Sequence, residues 1–307
     1  AKNAALRGAA ALLRESSAEV LDANARDLAA ATPQEPIDEL TRLRHRYLSR
    51  QLAAVGTRVA MLAGEKLSFD RESQALYDAV APSHTEADFD AALAELDALL
   101  PGDGDLPSRL QTLRNAYAIP KDRVDAVFRA AIDECRARTA KHFALPAGET
   151  FTVEYVQGKP WSAYNWYQGG SKSVIQVNDE LPILIDRAID LACHEGYPGH
   201  HVYNALLEQH LVRERGFVEL SVYPLFSPQS LIAEGTANYG IEVAFPGDER
   251  ARFEREVLYP LAGLDPRSAE RYDRALQILH RLDYAGNEAA RRYLDGRIDA
   301  AAAADWL

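Results

Sequence analysis

Apolar residues recur at helical spacing through most of the chain. Between residues 36 and 64 they fall at Leu40, Leu43, Tyr47, Leu48, Leu52, Val55, Val59 and Leu62, the pattern of a helix with one apolar face. Residues 4–31, rich in Ala, Leu, Arg and Glu, read the same way. A third helix opens near Thr85, with Glu86 to Asp88 placing acid in the first turn, where the helix dipole favours it, and runs to Pro101. After the turn cluster Pro101-Gly102-Asp103-Gly104-Asp105, a fourth runs to about Tyr117 and a fifth from Lys121 to about Phe143. The texture changes at Pro146-Ala147-Gly148. Residues 151–156, 163–167 and 173–177 are β-rich and are separated by Gly158-Lys159-Pro160 and Gly169-Gly170, which predicts a small antiparallel meander. Helix resumes near Leu181 and reaches His194, and helical patterns occupy residues 228–245, 248–259, 266–283 and 286 onward. The expected fold is mainly α with a small antiparallel β-sheet.

The 307 residues are enough to bury roughly 75% of the surface the unfolded chain exposes, so a core forms without staples. Lys and Arg number 34 against 46 Asp and Glu, a net charge of −12, and no cluster of four or more basic residues occurs. A nucleic-acid or anionic-membrane binder needs such a stripe, and both partners are set aside. Cys135 and Cys193 are too few for a disulfide framework or a Cys-based zinc site and read as buried, reduced thiols. No run approaches the ~18 apolar residues of a spanning helix. Ala1-Lys2-Asn3 lacks the apolar core of a signal peptide, and the expected location is cytoplasmic. The missing initiator Met reads as processing or as a cut from something longer.

The candidate chemistry lies in His194-Glu195-Gly196-Tyr197-Pro198-Gly199-His200-His201. Two imidazoles with a glutamate beside the first are the equipment of a zinc hydrolase: the histidines hold Zn²⁺ and the glutamate, here Glu195, deprotonates water. The usual spacing is four residues, on one helix face. Here the fourth position is Pro198. On a regular helix His200 would sit about 120° off the face of His194, and His201 would lie about 10.5 Å along the axis, too far for one metal. Pro198, Gly196 and Gly199 break that regularity. A bulge of two residues brings His200 into place, and a longer one brings His201; both stay open as second ligand. A plain helix stop with histidines near its carbonyl end fits the octapeptide alone. Glu234, in an otherwise small and apolar helix, weighs against that, because a carboxylate there is costly to bury unless paired or bound to metal. It is the expected third ligand. Tyr239 and Tyr223 are candidate oxyanion donors, and Asn165 and Gln168 candidate contacts to a peptide backbone. Ser227 and Ser230 show no nucleophile elbow.

With Tyr164-Asn165-Trp166-Tyr167-Gln168-Gly169-Gly170, Ser227-Pro228-Gln229-Ser230, Ala233-Glu234-Gly235 and Tyr284-Ala285-Gly286-Asn287 around it, the octapeptide makes residues 35–307 resemble the bacterial DUF885 family, a distant relative of the glutamate-zincin metallopeptidases. The resemblance implies a mostly helical fold with a small sheet beside the zinc helix, His194, His200 or His201 and Glu234 as ligands, and Glu195 as base. Members usually continue past this C-terminus, so the domain is expected to be truncated there. Residues 2–31 separately resemble the opening helices of gamma-glutamyl phosphate reductase, and residues 1–34 are expected to form a helical segment of other origin. The expected activity is a zinc-dependent hydrolase cutting short peptides. A metallohydrolase of a non-peptide amide or ester and an inactive helical binding protein are the alternatives.

Overall fold

The computed structural model describes residues 38–306 together with Glu19, Asp22 and Arg26, so most of the helix expected over residues 4–31 lies outside the described residues. The chain forms two compact units, residues 1–47 and residues 48–307. In the first, Arg26 pairs with Asp22 one helical turn earlier at 3.4 Å. Helix α1 (Glu39–Leu62) starts there, and the remaining elements belong to the second unit.

The second unit is mainly helical. Helices α2 (Phe69–Tyr77), α3 (Glu86–Leu99), α4 (Leu106–Asn115) and α5 (Val124–Thr139) precede the strands. Their starts follow capping chemistry. Thr85 and Asp88 form a reciprocal capping box on α3, and Asp105 accepts from the Ser108 N–H at the start of α4. The periodicity does not mark the nine-residue α2, which buries one apolar residue, Leu76.

Strands β1 (Thr150–Val156), β2 (Ala163–Gly169) and β3 (Lys172–Asn178) form where the β-rich stretches stand, but not as an antiparallel meander. The order is β1-β3-β2. β3 pairs antiparallel with β2, through Gly169-Gly170, and parallel with β1, with Thr150 opposite Lys172. The sheet is therefore mixed. The reason lies in residues 157–162, which pass over the end of β3 instead of turning tightly. The Asn178 N–H donates to the Ser162 carbonyl at 2.8 Å, and its Nδ2 donates to the carbonyls of Lys159 and Trp161. β3 carries the buried residues Ser173, Ile175 and Val177, which suits the central place, and β2 is left at an edge.

Helix α6 (Asp186–Leu191) follows and continues into a π turn, Ala192–Gly196. Helix α7 (His200–Leu206) restarts after a short turn and extends through Leu207–Arg213, a helix that Pro198-Gly199 concealed. Helix α8 (Pro228–Ala244) opens on Ser227, whose hydroxyl caps the Ser230 N–H, with Pro228 in the first helical position. Then come α9 (Glu249–Phe253), running on through Glu254–Leu258 and Tyr259–Ala262, α10 (Ala269–His280), α11 (Tyr284–Leu294) and α12 (Ala300–Ala304).

Helices α5 and α6 run through the core. Val127, Phe128 and Ala131 from α5 and Ile185, Ala188 and Ile189 at α6 are buried with Tyr259 and Tyr272. Cys135 and Cys193 are free and buried, with Sγ atoms 2.9 Å apart. Packing α6 this deeply leaves its C-terminal end, with His194 and Glu195, anchored where the core meets the cleft. No helix among the described residues is long and apolar enough to cross a membrane.

Candidate metal centre

The backbone after α6 widens before it turns. The Tyr197 N–H donates to the Ala192 carbonyl five residues back, and the Gly199 N–H to the Cys193 carbonyl six back, at 3.0 and 2.9 Å. A Cβ at residue 199 would lie 1.9 Å from the His194 carbonyl oxygen, so only glycine allows this return. Helix α8 closes in from the other side through Gly240, where a Cβ would lie 2.8 Å from the Pro198 ring. The wide turn stands where the sequence required a bulge, and it folds His200 back over His194, ring centroids 4.7 Å apart.

Three side chains converge there. His194 Nε2 and His200 Nε2 face each other at 3.1 Å, His194 Nε2 lies 3.2 Å from one Glu234 oxygen, and His200 Nε2 lies 3.3 Å from the other. One nitrogen from each ring and one Glu234 oxygen lie within 4.8 Å of one another, so the group could hold a single metal ion. The proton inventory agrees. His194 Nδ1 is 2.9 Å from Asn238 Oδ1, an acceptor, which places the proton on Nδ1 and leaves the Nε2 lone pair facing the cluster. Asn238 lies one turn beyond Glu234 on α8, so one helix face supplies both a carboxylate and the group that orients the first histidine. Burial pushes the Glu195 carboxyl above its ordinary value; the histidines oppose the rise and Glu234 adds to it.

His201 faces away from this group. It is fully buried, with Nε2 3.0 Å from Glu149 Oε2 and Nδ1 2.8 Å from Ser173 Oγ. Burial depresses its pKa and keeps it neutral. The Nε2–H then donates to the carboxylate and Nδ1 accepts from the serine, which leaves no lone pair for a metal. The line Ser173–His201–Glu149 has the order of a serine-hydrolase triad, but Ser173 is 4% exposed and His201 0%, so no substrate reaches it.

The triad opens into a cleft of about 1170 Å³, at or above the top of the ~300–1,000 Å³ usual for small-molecule sites. Asn165 and Gln168 line it from the edge strand β2, and Asn165 Nδ2 donates to the Glu195 carbonyl at 2.7 Å. Tyr223 lines it too, its hydroxyl 3.3 Å from Ser230 Oγ. Tyr239 is 69% exposed on α8 and does not line it. The cleft's arginines are engaged by carboxylates, Arg187 and Arg250 by Asp190 and Arg213 by Glu208. Asn238 and Glu149 escaped the sequence reading. The four-residue spacing from Glu234 could have revealed the first; nothing local marks the second, which lies 52 residues from His201. A scan of protein-family models, a search of curated proteins and a search of solved structures each found no match.

Proposed function

We propose that the chain is a zinc-dependent hydrolase that cuts short peptides, with His194, His200 and Glu234 as ligands and Glu195 as general base. The observation that carries this reading is the meeting of two imidazole Nε2 atoms and a carboxylate at 3.1–3.3 Å, with Glu195 adjacent in the same cleft. Two histidines and a glutamate suit zinc among the common metals, and when bound it supplies Lewis-acid polarisation of a carbonyl and of water. Glu195 takes a proton from the water as its oxygen bonds to the peptide carbon. It then gives that proton to the nitrogen as the C–N bond breaks. Its burial favours this, because a carboxylate with a raised pKa is a stronger base. Edge strand β2 borders the cleft, which favours an extended chain that can pair with it over a compact substrate. The motif's likeness to the DUF885 family and its glutamate-zincin relatives agrees with this reading, and we propose that membership with it.

The test joins metal analysis to turnover. The purified protein is expected to carry about one zinc per chain, and Glu234→Ala to lose most of it. Glu195→Gln keeps its shape but takes no proton near neutral pH, so it should retain zinc while cleavage of a mixed short-peptide library, read by mass spectrometry, falls on the order of 10²-fold or more. Equal cleavage by wild type and variant ends the general-base role. No metal after zinc is supplied ends the hydrolase reading.

A further inference from the structure

A single buried carboxylate holds both ends of the turn that delivers His200. Glu149, just before β1, has a side chain only 2% exposed. Its Oε2 accepts from the Tyr197 hydroxyl at 2.5 Å and lies 3.0 Å from His201 Nε2, while its Oε1 accepts from Nε and a terminal nitrogen of Arg136, at 2.9 and 2.6 Å. Tyr197 and His201 bracket Pro198-Gly199-His200. The Phe151 ring packs against both, 5.1 Å from the Tyr197 ring and 5.3 Å from the His201 ring, and lies beneath Gly196. Arg136 comes from α5, so the clamp fixes the turn to the core helix and not merely to itself.

We infer that Glu149 is a positioning residue for the metal centre: by tying Tyr197 and His201 together it sets the direction in which His200 presents Nε2 toward His194 and Glu234. It touches neither metal nor substrate, and it acts through the five-residue arc it closes. Without the clamp, a turn that contains Gly199 and leaves regular helical bonding at residue 197 has other ways to close. The ligand triad would then form only in a fraction of molecules, and the apparent affinity would fall by that fraction. This inference rests on the metal-site reading above.

The test reads metal geometry, not activity. Wild type, Glu149→Gln and Tyr197→Phe are loaded with Co²⁺ for visible absorption and titrated with Zn²⁺ against a chromophoric chelator. Glu149→Gln should bind zinc about 10- to 100-fold more weakly and show a changed cobalt d–d band, as losses in the shell behind a ligand do. Tyr197→Phe deletes one hydroxyl and keeps the ring, so it should fold and show a smaller loss of several-fold. Urea unfolding of the metal-free proteins separates the two effects. If both variants lose stability yet keep wild-type zinc affinity and cobalt spectrum, Glu149 is only a core ion pair and the inference is overturned. If wild type itself binds neither ion, the metal-site reading fails and the clamp is not what was at fault.

Discussion

Two polar clusters lie back to back across one turn, each built around histidine and glutamate, and they differ in what their atoms face. In the buried cluster every donor meets an acceptor: Tyr197, Arg136 and His201 donate to Glu149, and Ser173 donates to His201. In the cleft the same kinds of group converge on one point. Two imidazole nitrogens and a carboxylate crowd within 3.3 Å, with Asn238 occupying the proton-bearing side of one ring. The first arrangement is complete in itself. The second is a group that could hold a metal ion. His200 and His201 are neighbours in sequence, and one belongs to each cluster, so residue type and spacing do not decide which histidine is a ligand. The partners of the second ring nitrogen do.

The sharpest way to break this comparison is to exchange the histidines' losses. His200→Ala should abolish stoichiometric zinc while leaving the fold intact, because its ring packs at the cleft and not in the core. His201→Ala should keep stoichiometric zinc at saturating metal, with the several-fold weaker affinity of a broken clamp, but lower unfolding free energy by about 2–4 kcal/mol, through a cavity and polar groups left without a partner. Elemental analysis and urea unfolding on the same two preparations decide it. A His201→Ala protein that is stable and empty would reverse the assignment of the two clusters. A second, smaller effect is expected at Asn238. Asn238→Ala frees the His194 ring to rotate and change tautomer, which should weaken zinc about 10- to 100-fold without moving stability by more than about 1 kcal/mol.

The parts that could be read from the sequence are those set by local rules. The helices with clear apolar periodicity, the start of α3 at Thr85 and the three β stretches need only neighbours within a few residues. The triad's identity was partly legible because His194, His200 and Glu234 are unusual company for small apolar helices. What escaped is non-local. The parallel pairing of β1 with β3 depends on a loop crossing a strand end, which no turn signature announces. Glu149 looks like an ordinary glutamate ahead of a strand until Arg136, Tyr197 and His201 are brought to it in space. The choice between His200 and His201 failed to resolve for the same reason, since their difference lies in Ser173 and Glu149, which contact one of them only after folding.

The smallest expected effect concerns a third buried carboxylate, and it tests whether a complete set of donors is what makes Glu149 tolerable. Glu254 is 4% exposed, and among the described residues its carboxylate receives one hydrogen bond, from Arg250 Nε at 2.9 Å, where Glu149 has four donors around it. Burial pushes the Glu254 carboxyl up to about 7 against the pull of Arg250. The folded state therefore holds this proton more tightly than the unfolded chain, whose glutamate titrates near its ordinary ~4.3. Stability from this group is present in full below that lower value and is lost as pH rises through about 7. Glu254→Gln removes the titration, and Arg250 keeps Asp190 as a partner at 2.7 Å. Thermal unfolding followed from pH 5 to pH 8 should thus decline less steeply in Glu254→Gln than in wild type. Parallel curves would mean that Arg250 alone satisfies the buried charge, and the contrast drawn between fully and poorly partnered carboxylates would lose its energetic basis.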